Sequence, residues 1–280
     1  MIYDFAACLA PLRAAVVGPP SRSLLALHSG FVVMEQLSPQ LMHKLVFTIL
    51  MHGLNDSQIQ LAHKVLSDAL KHSNMQVREL AVVALADLPV PAGKRVASLV
   101  TALVDESAKV RRRAARALGD QGMAALPALG QLMNGLKDPD ASVRRDCAGT
   151  IGRLGASAHP AVDALIPLLG DPENRTRAVI AVAIKRIGKG AVEALLYGVQ
   201  SHDPVTRGQC AVLLAKIAPE DATVAAVLQS VLTDEDAEVR ARADAALQFV
   251  NTPPPMAIPP ARQSLAADTR SLDASVAKSS

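Results

Sequence analysis

Residues 138–151 run Asp-Pro-Asp-Ala-Ser-Val-Arg-Arg-Asp-Cys-Ala-Gly-Thr-Ile. Asp138 followed by Pro139 is a helix-start signal: a carboxylate accepts from the unpaired amides of a first turn, and Pro fits there because its missing N–H is not needed. Beyond it, Cys147 and Ile151 stand three and seven residues after Arg144. That spacing puts both on one face of a helix with 3.6 residues per turn.

The same phrase recurs along the chain, as Val77-Arg78, Val110-Arg111, Val143-Arg144, Thr176-Arg177, Thr206-Arg207 and Val239-Arg240. The arginines are 33, 33, 33, 30 and 33 residues apart. The column three residues after each Arg holds Ala81, Ala114, Cys147, Ile180, Cys210 and Ala243; the column seven after holds Leu85, Leu118, Ile151, Ile184, Leu214 and Leu247. Asp105, Asp138, Asp171 and Asp234 precede their arginines by six residues, whereas Asp203 precedes Arg207 by four, so the shorter unit has lost residues in its turn. Upstream of each turn lies another apolar helical stretch, such as Ala125 to Leu136. Each unit is therefore expected to be helix, tight turn, helix. Two such helices cannot close a core alone, so neighbouring units must stack.

This pattern resembles HEAT repeats, in the short form also found in bacterial phycobilin-lyase-like proteins. The resemblance covers about residues 57–250 and implies an all-α fold, a right-handed α-solenoid of stacked helix-turn-helix units. It also implies that the turn Asp and helix Arg form a hydrogen-bonded ladder between adjacent units. In this chain the ladder positions are Arg78, Asp105, Arg111, Asp138, Arg144, Asp171, Arg177, Asp203, Arg207, Asp234 and Arg240. Three domains are expected: N-terminal helices over 1–54 with a degenerate unit that caps the core, six repeats over 55–250, and a disordered Pro/Ser/Ala-rich tail over 251–280.

Composition agrees with a thin, repeated core. The chain of 280 residues is 50% hydrophobic yet has no Trp, four Phe and two Tyr, and four of these rings precede residue 50. The formal net charge of +3 is too small to announce a nucleic-acid or membrane-surface protein. No stretch is long and apolar enough to span a bilayer, and residues 1–18 lack the basic start of a secretory signal.

Basic residues nevertheless concentrate on the second helices. Lys109, Arg112, Arg113 and Arg116, with ladder residue Arg111, fall within eight positions; Arg145, Arg153, Lys185, Arg186 and Lys216 continue the trend. Arg153, Arg186 and Lys216 each lie nine residues after their unit's ladder Arg, so they align along the stack. The resemblance places second helices on the concave surface, where these side chains would form a positive stripe for an acidic partner protein. The competing reading is a solvated face neutralised by Asp120, Asp146 and Asp163, since residues 55–250 hold 23 basic and 22 acidic side chains.

No catalytic constellation emerges. The sequence has no phosphate-binding glycine loop, no nucleophile elbow and no His-Glu pair of the kind carried by HEAT-repeat di-iron hydroxylases. Neither cofactor nor metal site is expected, because His28, His43, His52, His63, His72, His159 and His202 are widely spaced. Cys8, Cys147 and Cys210 show no metal or disulfide spacing and fit a reducing, cytoplasmic setting. The functional expectation is a non-catalytic interaction scaffold. A phycobilin-lyase-like enzyme subunit and a phosphate-backbone binder are the alternatives, the latter weakened by the lack of rings for stacking bases.

Overall fold

The 33-residue period fixes which residues can face a neighbouring unit, and the fold follows from it. The computed structural model describes residues 56–251, which are helices and connecting turns throughout. Unit one pairs α1 (Asp56–Ala69) with α2 (Met75–Asp87), and unit two pairs α3 (Ala92–Thr101) with α4 (Ala108–Asp120). In unit three, α5 (Leu129–Gly135) precedes α6 (Ala141–Arg153); in unit four, α7 (Val162–Leu165) precedes α8 (Asn174–Ile187). Unit five pairs α9 (Val192–Gly198) with α10 (Pro204–Ile217), and unit six pairs α11 (Ala222–Val231) with α12 (Ala237–Asn251). The second helices α2, α4, α6, α8 and α10 pack consecutively against one another. The result is the expected all-α solenoid. The expected cap within 1–54 and the tail beyond Asn251 lie outside the described residues.

The first helices depart from the expected continuous stretches. Instead of one helix from Ala125 to Leu136, the third unit has a 3-10 segment, Gly122–Ala128, leading into α5. The fourth unit is similarly split into 3-10 segments, Gly155–Ala161 and Ile166–Gly170, on either side of α7. Pro127 and Pro160 sit inside these segments. A proline ring lacks the donor and clashes with the carbonyl four residues back, so the chain tightens into 3-10 turns until it has passed.

One detail of the turns also differs from the sequence reading. Asp138 does not cap α6: Asp140 does, its carboxylate accepting from the Ser142 amide at 2.8 Å. Asp138 instead accepts from the Asp140 amide and holds the turn before the helix. Gly122, Gly155 and Gly188, with φ of 56°, 58° and 75°, take the left-handed conformation that glycine adopts without strain. Gly119 and Gly152 are buried where successive second helices approach closely, and a Cβ on Gly152 would lie 2.8 Å from the Ala183 Cα.

The core is one continuous cluster built from the two columns of the repeat. Ala81, Ala114, Cys147, Ile180, Cys210 and Ala243 are buried, as are Leu85, Leu118, Ile151, Ile184 and Leu214. Cys147 and Cys210 are free thiols, and burial pushes each up to about 12, which suits packing rather than nucleophilic chemistry. Their sulfurs occupy the space that a Cβ would take at Gly135 and Gly198, each twelve residues earlier on the preceding first helix. At the corresponding positions, the first two units pair Ala69 with Ala81 and Ala102 with Ala114. Gly135→Ala is accordingly expected to destabilise the chain by about 1–2 kcal/mol through overpacking. Adding Cys147→Ala, which recreates the Ala–Ala arrangement, should recover most of the loss; urea unfolding of both variants checks this.

Candidate functional site

The ladder arginines work in two directions. Nη1 of Arg78, Arg111, Arg144, Arg177, Arg207 and Arg240 donates to backbone carbonyls of its own turn, as when Arg144 reaches Asp138 O at 2.8 Å and Pro139 O at 3.1 Å. The other edge of the guanidinium reaches the next unit's turn Asp, 27 residues ahead. Arg78 Nε meets Asp105 at 2.7 Å, Arg111 meets Asp138 at 2.6 Å, Arg144 meets Asp171 at 2.7 Å and Arg207 meets Asp234 at 2.9 Å. Three of these contacts are bidentate, those of Arg78, Arg111 and Arg207. A planar fork bound to a carboxylate fixes both distance and orientation, which is why the column holds Arg rather than Lys.

One junction lacks its rung. Ser201 stands six residues before Arg207, where other turns place Asp, and Arg177 is bonded to its own Asn174 rather than to a carboxylate in unit five. Asp203 is not a rung, and the turn has not lost residues as the Asp203 spacing suggested. Arg207 reaches Ser201 O and His202 O, six and five residues back, as the other arginines do. The shortening falls in the 3-10 segment Gly188–Ala191, four residues against seven in Gly155–Ala161. The Asp203 carboxylate caps α10 by accepting from the Thr206 amide at 2.8 Å and the Thr206 hydroxyl at 2.6 Å, and it packs where a Cβ would stand on Gly170.

These carboxylates make the structure acid-sensitive. The Ser142 hydroxyl and amide hold Asp140 below the usual carboxylate range, and Arg207 does the same for Asp234. Burial works against ionisation of Asp171 and Asp203, but Arg144 and the Glu173 amide for the one, and Thr206 for the other, outweigh it and leave both lowered. Groups with folded pKa values below the unfolded one contribute stability that is complete above the unfolded value and disappears as pH falls through the folded values. The melting temperature should therefore hold from neutrality to about pH 5 and fall steadily below about pH 4, as thermal scans across that range will show.

The basic residues of the second helices divide into two groups. Arg112 and Arg116 both reach Asp146, at 3.2 and 2.9 Å; Arg113 reaches Glu79 at 2.8 Å, Arg145 reaches Glu173 at 3.0 Å and Arg153 reaches Asp120 at 2.9 Å. The run at 109–116 is thus stitched to neighbouring units and does not present five free positive charges. Lys109, Lys185, Arg186 and Lys216 are exposed and make no ion pair among the described residues. Three of these four lie on α8 and α10, which shifts the unneutralised charge to units four and five. The available sequence signal was a carboxylate about one period from each arginine, as Asp146 is from Arg112 and Glu79 from Arg113.

The profile of a family described as HEAT repeats matches residues 63–135 and 130–197. No curated protein sequence matches the chain. Among solved structures, the Escherichia coli protein YibA shares 18% identity over 87% of this chain and 95% of its own, with a TM-score of 0.47. Human deoxyhypusine hydroxylase in complex with glycerol shares 18% identity over 88% of this chain and 96% of its own, with a TM-score of 0.36. The karyopherin Kap121p, bound to the extreme C-terminus of the protein phosphatase Cdc14p, shares 15% identity over 87% of this chain and 33% of its own, with a TM-score of 0.50. At 15% identity the likeness to Kap121p speaks to the fold alone. The repeated Arg–Asp rungs, the stacked helix pairs and the matched profile together make this chain a HEAT-repeat protein.

Proposed function

We propose that the protein is a non-catalytic scaffold or adaptor that holds an acidic partner protein against its second helices. The observation that carries this reading is the group of exposed cations on α8 and α10, Lys185, Arg186 and Lys216, which no carboxylate among the described residues neutralises. A field that is not cancelled locally attracts opposite charge and steers association. The stacked helices supply the extended surface that a binding protein needs. No helix among the described residues is long and apolar enough to cross a membrane, and the free buried thiols fit the cytoplasm.

The test is affinity purification of the tagged full-length chain from its own cells, followed by mass spectrometry. Reversing the charge of Lys185, Arg186 and Lys216 together should reduce recovery of associated protein by about tenfold, with the melting temperature unchanged. Undiminished recovery would overturn the reading. The run at Arg112, Arg113 and Arg116 is a poorer target, because reversing those residues sets like charges against Asp146 and Glu79 and perturbs the stack itself.

A further inference from the structure

The exposed surface of α8 and α10 is organised in a way the other second helices are not. Val182 and Arg186 are four residues apart on α8, and Val212 and Lys216 are four apart on α10, so each helix presents a valine followed by a cation on one face. The two pairs are thirty residues apart, the length of this unit, and lie on adjacent packed helices. Val182 is 50% exposed, more than any other valine on the described second helices, and Val179 stands one turn before it, partly buried. Arg175 lies at the opposite end of α8 from Lys185 and Arg186, exposed and with no ion pair among the described residues. An apolar centre is thus bordered by cations at both ends.

Neither α8 nor α10 contains an acidic residue, whereas each of the other second helices carries at least one: Glu79, Asp120, Asp146, Glu238. Of the nearby acids, Asp171 is engaged by Arg144, Glu173 by Arg145 and Asp203 by its own helix start, while exposed Glu220, just beyond α10, makes no ion pair with Lys216. A second, independent feature adjoins the same face. Gly149 lies inside α6, where a Cβ would sit in ordinary contact, 3.7 Å from Val179. Packing does not demand glycine there, and glycine in a helix interior costs about 1 kcal/mol relative to alanine. What its absence of side chain leaves is a dip beside Val179.

We infer that this face of units four and five binds a peptide segment that carries aliphatic side chains flanked by carboxylates. The aliphatic groups cover Val179 and Val182 and enter the dip at Gly149; the carboxylates pair with Arg186 and Lys216. This deepens the scaffold reading and rests on it. A phosphate backbone would engage the cations but would leave the valines exposed to water, and α8 and α10 offer no ring on which a base could stack. The chain's own flanks are poor occupants, because residues 1–55 and 252–280 each hold three basic and two acidic side chains.

The experiment selects a random-peptide display library on the full-length chain at physiological salt, then titrates an enriched, fluorescein-labelled peptide by anisotropy. Enriched peptides should combine Asp or Glu with spaced Leu, Ile or Val. Their affinity should fall by about tenfold or more with Val182→Asp, and likewise with Arg186→Glu plus Lys216→Glu. Lys64→Glu, an exposed cation on α1 in unit one, should leave it unchanged. Gly149→Leu should weaken binding while the melting temperature holds or rises, a combination that general damage to the fold would not produce. Enriched peptides lacking either acidic or aliphatic residues would overturn the inference, as would indifference to Val182→Asp or the absence of any enrichment. Tighter binding of a mixed-sequence DNA duplex, lost in the same variants, would assign the surface to nucleic acid instead. If peptides bind but ignore these substitutions, the site falls and the scaffold reading stands; if the co-purification described above fails, that reading falls by itself.

Discussion

Asp171→Ala is expected to cost about 3 kcal/mol of stability and to divide unfolding into two transitions. The Asp171 side chain is almost completely buried; it accepts from Arg144 Nε at 2.7 Å and from the Glu173 amide at 2.9 Å. Removing it leaves a mostly buried guanidinium facing a vacated turn. Arg144 keeps its bonds to Asp138 O and Pro139 O, so its charge is not wholly without partners, which puts the loss at the lower end for a broken buried pair. The stability of a stacked array is a sum of unit and interface contributions, and this loss falls on one interface, between units three and four. Urea unfolding followed by circular dichroism should show a lower midpoint with a broadened or biphasic transition, and hydrogen exchange should quicken first around residues 166–187. Asp203→Ala is the comparison. It removes only a helix cap, and about 1 kcal/mol is expected. Equal losses for the two variants would show that the rungs contribute no more than caps do.

Gly152→Val should be comparably damaging, at about 3 kcal/mol, for a different reason. A Cβ at 152 would fall 2.8 Å from the Cα and 2.9 Å from the Cβ of Ala183, and backbone cannot rotate out of the way. Accommodation requires α6 and α8 to separate, which opens the core around Ile151 and Ile184, both fully buried. Gly152→Ala gains helix propensity but meets the same backbone, so its net loss should be smaller. Gly119→Ala should be milder still, since a Cβ there meets only side-chain atoms of Arg153 and Thr150, and the arginine can withdraw. Melting temperatures falling in the order Gly119→Ala, Gly152→Ala, Gly152→Val would establish backbone proximity as the cause.

The second helices were legible in the sequence because their signals are local and repeated: an Arg column, a small-residue column three positions on and a Leu/Ile column seven on. The first helices were less so. Their apolar stretches are present, but Pro127 and Pro160 act through tertiary placement that tolerates a 3-10 turn, and hydrophobic spacing does not distinguish that from a continuous helix. The choice between Asp138 and Asp140 as cap turns on which carboxylate the preceding unit's arginine has taken, information held one repeat away. The candidate surface shows the same division. The sequence shows where cations accumulate, but whether Arg116 is free depends on Asp146 thirty residues later, across a helix–helix contact. Only after those pairs are removed do Arg186 and Lys216 stand out, and only exposure identifies Val182 as their companion.

The missing rung at Arg177 has a mechanical meaning. Units joined in series share every bending load, and displacement gathers where the coupling is most compliant. Between units four and five no guanidinium bridges to a carboxylate, while the junctions between units one and two, two and three, three and four, and five and six each have one. Curvature of the array is therefore set most loosely at this joint, and thermal flexing there changes the spacing between Val182 and Val212 more than between equivalent residues of its neighbours.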